Sequence, residues 1–304
     1  MIELDIAMAE IIGTRAEQQD ASAIVPLGEG GDPVLLVLAD GLGGHVDGAK
    51  AAGIVIETFR ERAANGAFAR SEVHRRALDD AILETNARIR TARNPVDGER
   101  GMGSTAVAVI IAEGRLNWVS VGDSHLYVWR RGQLAKLNAD HSQAGMMIRD
   151  GQAPDDPAVL AASSLLASAL SGHAIEEIDR PTASVPLAHG DVVLLASDGL
   201  DVLSDPEIAQ IIGENAEAGA ATLARTLVAT VEGLRLPRQD NATVIAARVL
   251  GEGLPAIPED APPCGVVRPG SGPRSTASGG QWPLAVGLVL LAALLASVIV
   301  TQMP

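Results

Sequence analysis

Leu35-Leu36-Val37-Leu38-Ala39-Asp40-Gly41-Leu42-Gly43-Gly44-His45 is the stretch that decides how this chain is read. A continuous apolar run of this length fits a strand buried on both faces, because a half-exposed strand alternates apolar and polar residues. The run ends on a carboxylate followed at once by glycine. Asp40 is thereby delivered to the edge of the core, where the backbone can turn tightly and a ligand can come close. The pattern recurs in Val192-Val193-Leu194-Leu195-Ala196-Ser197-Asp198-Gly199-Leu200. Two apolar strands ending in Asp-Gly-Leu predict two carboxylates that meet in space. A third strand, 116–121, runs into Gly122-Asp123-Ser124, and Asp20 and Asp240-Asn241 flank further strand-like segments.

Composition narrows the classes. The chain has 304 residues, enough for one large domain or two smaller ones. Hydrophobic residues make up 47% but aromatics only 2%, so the core must be built from Ala, Val, Leu and Ile. The formal net charge is −15 with no basic block, which argues against a nucleic-acid partner, since phosphate backbones call for clustered Lys and Arg. Clustered carboxylates raise one another's pKa unless a cation sits among them. The single cysteine, Cys264, cannot form an internal disulfide, consistent with a reducing compartment.

The C-terminal end differs from the rest. Residues 283–300 form a run of eighteen without a charge, preceded by Trp282 where an interfacial aromatic would sit. As a helix, the run would be about 27 Å long, close to the hydrocarbon thickness of a bilayer. A buried core helix is the alternative reading. Residues 251–281 are rich in Pro, Gly and Ser and read as a flexible linker. Arg268 and Arg274 precede the apolar run and no charge follows it, so the positive-inside tendency puts the bulk of the chain on the cytoplasmic side. The expected organisation is a domain over 1–250, a linker over 251–281 and a single-pass transmembrane helix over 282–301.

Within the domain, strands are predicted over 2–8, 21–26, 34–40, 106–112, 115–121, 126–129, 133–137, 178–185, 192–197 and 242–249. Helices are predicted over 47–64, from a Ser71 cap to about residue 93, over 206–212 and over 216–234. Glu113-Gly114 and Arg131-Gly132 read as hairpin turns. Residues 140–165 carry no clear pattern. Helices in both halves with antiparallel strands between them predict an α+β domain with helices on the outer faces of stacked sheets.

The carboxylates and one arginine carry the chemistry. A hard divalent cation takes oxygen ligands in near-octahedral geometry and keeps several waters. Asp20, Asp40, Asp198 and Asp240, with the Gly41 carbonyl, would suffice for two bridged ions, an arrangement that activates water against a phosphoryl group. Arg15 offers the planar fork that grips phosphate oxygens. No Gly-Lys-Ser/Thr loop is present, which argues against P-loop nucleotide binding.

These pieces together resemble the metal-dependent protein Ser/Thr phosphatases of the 2C type in their bacterial form. The matching segments are 15–20, Ala39 to Gly48, Gly103-Ser104-Thr105-Ala106, Val121 to Tyr127, Asp140-His141-Ser142, Ala196 to Leu200 and Asp240-Asn241-Ala242-Thr243, in the family's order. The resemblance implies an αββα sandwich of two antiparallel sheets with two tightly bound Mn²⁺ or Mg²⁺ ions at one edge. It implies that Asp40 bridges the ions, that Gly41, Asp20, Asp198 and Asp240 complete their shells, and that Asp123 helps hold a third, weaker ion. Arg15 would bind the substrate phosphate, and the catalytic set would be Arg15, Asp40 and Asp123. Two departures stand out: Gln19 replaces a glutamate of many eukaryotic members, and Leu42 stands where some members have a histidine assigned as general acid. The leaving-group acid is therefore open. His45 reads as a helix-start or packing residue, the Asp140 cluster as a cap, and Gly103-Ser104-Thr105 as support beneath the site.

The function implied is hydrolysis of phosphoserine and phosphothreonine in proteins, by a membrane-tethered signalling phosphatase opposing a Ser/Thr kinase. A kinase or its targets would be the partners. The alternative from another class is a non-catalytic module of the same fold that binds a phosphoprotein or kinase.

Overall fold

The doubly apolar runs become strands with an apolar layer against each face. The computed structural model describes residues 2–28, 32–43, 46–93 and 101–251. The predicted linker beyond Gly251, the predicted span over 282–301, and Gly44 and His45 lie outside the described residues. Among the described residues no helix is long and apolar enough to cross a membrane.

One sheet contains β1 (Leu4–Ile11), β7 (His125–Arg130), β8 (Gln133–Lys136), β10 (Val192–Ala196) and β11 (Ala242–Val249), in the order β1-β11-β10-β7-β8. The other contains β2 (Asp20–Pro26), β3 (Val34–Leu42), β5 (Ala106–Ala112), β6 (Arg115–Val121) and β9 (Val185–Pro186), in the order β2-β3-β5-β6-β9, with the short β4 (Gly103–Ser104) pairing with β3. Every pairing is antiparallel.

The period of two sorts each strand between layers. Val34, Leu36 and Leu38 of β3 pack between the sheets with Val193 and Leu195 of β10 and Ile245 of β11. Leu35, Val37 and Ala39 face the other way, onto Ala51, Val55 and Phe59 of α1 (Val46–Ala64) and Leu78 and Ile82 of α2 (His74–Ala92). On the far side, Leu194 and Val244 pack against Ile208 of α5 (Asp205–Glu214) and Leu223 and Leu227 of α6 (Ala220–Gly233). The result is the helix–sheet–sheet–helix stack that the resemblance implied, and the scarcity of aromatics is met by aliphatic layers.

Several predicted elements end elsewhere: β1, expected over 2–8, runs from Leu4 to Ile11 along its full ladder with β11. Residues 178–185 do not form a strand: only a bridge from Ser120 to Asp179 and the two-residue β9 remain. The Asp179 carboxylate turns to accept the Ala139 N–H at 2.6 Å, and Pro181 has no N–H for a ladder. Ser71 does not cap α2 but opens a short 3-10 turn, Ser71–Val73, before the helix begins at His74. α6 starts at Ala220 rather than 216, because its cap comes from β1, where Asp5 Oδ2 accepts the Ala220 N–H at 2.7 Å. The unpatterned stretch 140–165 holds α3 (Gln143–Arg149) and α4 (Pro157–Ala162), capped by the side chains of Ser142 and Asp156.

At the end of the first sheet remote from Asp198, the buried Arg130 guanidinium meets Asp191 at 2.8 and 2.5 Å. Removing one partner of a buried pair strands the other charge. Asp191→Ala is expected to lower the unfolding free energy by about 3–5 kcal/mol in urea. Arg76→Ala, which breaks a solvent-exposed pair with Asp80, should change it by less than about 0.5 kcal/mol. Equal losses would show that burial does not set the cost.

Candidate metal and phosphate site

Antiparallel register is what first brings two of the acids together. The pairing of β2 with β3 sets Asp20 opposite Asp40. In the other sheet, β10 and β11 are neighbours, so Asp198, just after β10, lies beside Asp240, just before β11. Stacking of the sheets joins the two pairs. Ser197 Oγ donates to Asp20 Oδ2 at 2.7 Å, and the Gln19 N–H donates to Asn241 Oδ1 at 2.9 Å. Asp123 enters from the end of β6 and faces Asp198 and Asp140.

The end of β3 is held on both sides. The Asp40 N–H donates to Thr105 Oγ1 at 2.9 Å, and the Asp40 carbonyl accepts from the Thr105 N–H at 2.9 Å and from Ser104 Oγ at 3.0 Å. Gly41 is required by close approach: a Cβ there would lie 2.1 Å from the Gly48 carbonyl oxygen and 2.7 Å from that of Gln19. The expected role of Gly103-Ser104-Thr105 as support under the site is what the structure shows.

Burial and mutual repulsion push these acids toward their neutral forms. Asp40 is held well above the usual carboxylate range, first by burial and then by Asp198, Asp20 and Asp123. Asp198 is also raised, first by burial and then by Asp240 and Asp201. Asp20 is raised to about 6, chiefly by burial and against the Ser197 hydrogen bond. Asp123 is raised to about 7 by burial and then Asp198 and Asp140. Among the described residues no three His, Cys, Asp or Glu side chains close into a ready-made metal cage. What stands there is an open group of hard oxygen donors, each opposing ionisation of the next. That donor set fits Mg²⁺ or Mn²⁺, whose charge would reverse the electrostatics, and suits no softer metal.

Asp240 stands apart from the buried group. Its carboxylate is paired with the Arg15 guanidinium and also accepts the Asn241 N–H at 2.8 Å. Arg15 and Asp240 are 54% and 37% exposed, so the fork lies on the open side of the cluster, within the fields of Asp198 and Asp40. The loop that carries Arg15 is anchored by Asn241, whose Nδ2 donates to the carbonyls of Ile12 and Glu17 at 2.9 and 3.2 Å.

The roles of Ser197 and Asn241 escaped sequence reasoning. The available signal was slight: a hydroxyl interrupting the second apolar run, and an amide directly after Asp240. A further pair, His125 Nε2 to Asp201 at 2.5 Å, ties the start of β7 to the 3-10 turn Asp198–Val202. Asp140-His141-Ser142 is the expected cap cluster: the Gly145 N–H donates to Ser142 Oγ at 2.9 Å, and the Ser142 N–H to Asp140 Oδ1 at 2.7 Å. Burial pushes the His141 imidazole down to about 4.

A family model described as protein phosphatase 2C matches residues 10–231. The chain belongs to the protein phosphatase 2C family. Serine/threonine protein phosphatase PstP of Mycobacterium tuberculosis is 33% identical over 225 residues, 71% of this chain but 40% of PstP's own length. The catalytic domain of PstP, solved in complex with two manganese ions, superposes with a TM-score of 0.67 at 29% identity, covering 82% of this chain and all of that one. The S. agalactiae serine/threonine phosphatase superposes with a TM-score of 0.69 at 25% identity over 81% of this chain and 99% of that chain. The two-sheet core with its flanking helices is thus the 2C architecture.

Raised carboxyls link stability to pH. Without metal, Asp20 and Asp123 keep their protons up to about 6 and about 7. The unfolded chain loses them near pH 3.9, so folding takes up protons and stability falls as pH rises through that window. His141 works in the opposite direction but is a single group, neutral in the fold down to about 4. With chelator present, the full chain is therefore expected to melt at a lower temperature at about pH 7.5 than at about pH 5.5. Saturating Mn²⁺ should raise the melting point more at the higher pH, and Asp123→Asn should reduce the metal-free slope. A chelated melting point that rises with pH would contradict this charge assignment.

Proposed function

We propose that this chain is a metal-dependent phosphatase for phosphoserine and phosphothreonine in proteins, tethered to a membrane by residues 282–301 with its catalytic domain on the cytoplasmic side. The observation that carries the reading is the buried group Asp20, Asp40, Asp198 and Asp123, each driven toward neutrality first by burial and then by neighbouring carboxylates, opening beside an exposed arginine. Such a group has little structural benefit of its own and favours a divalent cation. The PstP catalytic domain, with its two manganese ions, supports the same reading.

Asp40, flanked by Asp20 and Asp198, would lie between two ions, the Gly41 carbonyl would add an oxygen, and Asp240 would complete the set. When bound, the ions would supply a lowered water pKa and neutralise charge on the phosphoryl oxygens. Arg15 would orient the phosphate through its planar fork and, in doing so, exchange its pairing with Asp240 for the substrate. Asp123 would hold a weaker third ion and order a proton donor near the leaving oxygen, a task that Leu42 cannot perform. The substrates we assign are a Ser/Thr kinase or its targets.

The decisive assay is Mn²⁺-dependent hydrolysis of p-nitrophenyl phosphate by the full chain. Asp198→Asn should cost at least about 10²-fold in kcat while the chain stays folded. Arg15→Ala should chiefly raise KM for a phosphothreonine peptide, because it removes phosphate binding and leaves water activation intact. No metal-stimulated turnover would instead favour the non-catalytic binding module.

The tether is tested separately. Deleting 280–304 should move the protein from the membrane fraction to the soluble one with unchanged turnover on p-nitrophenyl phosphate. Continued sedimentation with membranes would reject the anchor.

A further inference from the structure

The ladder between β5 and β6 stops where Ala106 pairs with Val121. The next residue, Gly122, is buried, and both of its backbone polar groups need partners away from the ladder. His141 supplies both. The Gly122 N–H donates to His141 Nδ1 at 3.1 Å, and the His141 N–H donates to the Gly122 carbonyl at 3.1 Å. On its other side Gly122 has no freedom: its φ is +105°, and a Cβ there would lie 2.6 Å from Thr105 Cγ2. Thr105 is the residue whose hydroxyl accepts the Asp40 N–H. The turn before Asp123 is therefore wedged between the support of Asp40 and one imidazole.

We propose that His141 is a positioning residue of the site: its Nδ1, used as an acceptor, fixes the Gly122 turn and with it the direction from which Asp123 joins the carboxylate group. The proposal deepens the phosphatase reading and rests on it for its kinetic consequence.

With Nδ1 accepting, the ring proton sits on Nε2, and Nε2 is buried without a hydrogen-bond partner among the described residues. A residue kept only to fill volume has no reason to bury an unpaired donor, and such groups in folded proteins cluster where function constrains them. What this position uses is the acceptor. The same residue also ties in the segment behind the site. Its carbonyl accepts from the Ala167 N–H at 2.8 Å, and that segment continues to Leu170, which pairs with Ser104 beside Asp40. Asp123 and Asp40 thus share one frame, with His141 at its corner.

Asparagine and glutamine separate an acceptor role from a packing role. The side-chain oxygen of asparagine can reach the place of Nδ1, whereas glutamine matches the size of histidine better but carries its polar atoms out toward the place of Nε2. In the Mn²⁺ assay of the full chain on p-nitrophenyl phosphate, His141→Asn should keep kcat within about threefold of the parent. His141→Gln and His141→Ala should lose on the order of 10²-fold in kcat with KM little changed, the scale of a misplaced catalytic group. Hydrogen exchange at the Gly122 amide of the metal-free full chain, read by NMR, provides a measure that does not need turnover. Protection should survive in the asparagine variant and be lost in the glutamine variant. Equal protection in both, or equal kcat losses in both with matched melting points, would overturn the proposal. An inactive parent with the expected exchange pattern would reject the phosphatase reading while supporting the positioning of Gly122.

Discussion

Carboxylates that oppose one another's charge in a buried place are the constraint around which this fold is arranged. Asp40 and Asp198 are both held above the usual carboxylate range, and Asp20 and Asp123 hold their protons to about 6 and about 7. Burial is the first cause in every case. An apolar core does not tolerate such a group for its own sake, so its retention at the open edge of the sandwich points to an external cation. The acids are then best understood as a charge deficit that the scaffold holds in place.

Holding it requires rigid neighbours. The acids come from strand ends in both sheets, so their spacing depends on how the sheets stack and on antiparallel register within each. Two hydrogen bonds cross directly between the strand ends: Ser197 to Asp20, and Gln19 to Asn241. Beneath them the aliphatic layer of Leu36, Leu38, Val193, Leu195 and Ile245 fixes the distance between sheets. Around them hydroxyl and imidazole groups occupy the backbone polar atoms that the ladders leave over, as Thr105 does for Asp40 and His141 for Gly122. The site is built where regular pairing ends and side chains take over its hydrogen bonds.

Arg15 illustrates how exposure and charge divide the labour. Its partner Asp240 lies on the solvent side, and a pair this open is worth little to stability. The pairing keeps the guanidinium beside the carboxylates and open to solvent. The buried Arg130 is instead locked against Asp191 and the Pro186 carbonyl. The same residue type thus stands in an open, solvent-facing pair beside the carboxylates and in a buried, fixed one at the far end of the first sheet.

The sequence by itself determined the strands that deliver Asp40 and Asp198, because a doubly apolar run leading into a carboxylate is a local pattern with one sensible burial. It also determined the hairpin turns at Glu113-Gly114 and Arg131-Gly132, where the second turn position has positive φ and is glycine. The acids of the group were legible for the same reason, each lying next to its own strand. Other features depended on partners distant in the chain. The start of α6 is set by Asp5, the absence of a strand over 178–185 by Asp179 turning to Ala139, and the anchoring of the Arg15 loop by Asn241. Which acids face one another, how far each is driven toward neutrality, and which imidazole closes the Gly122 turn were decided only by tertiary structure. Register and sheet stacking set those distances, and burial sets those charges; neither is written in any local window of residues.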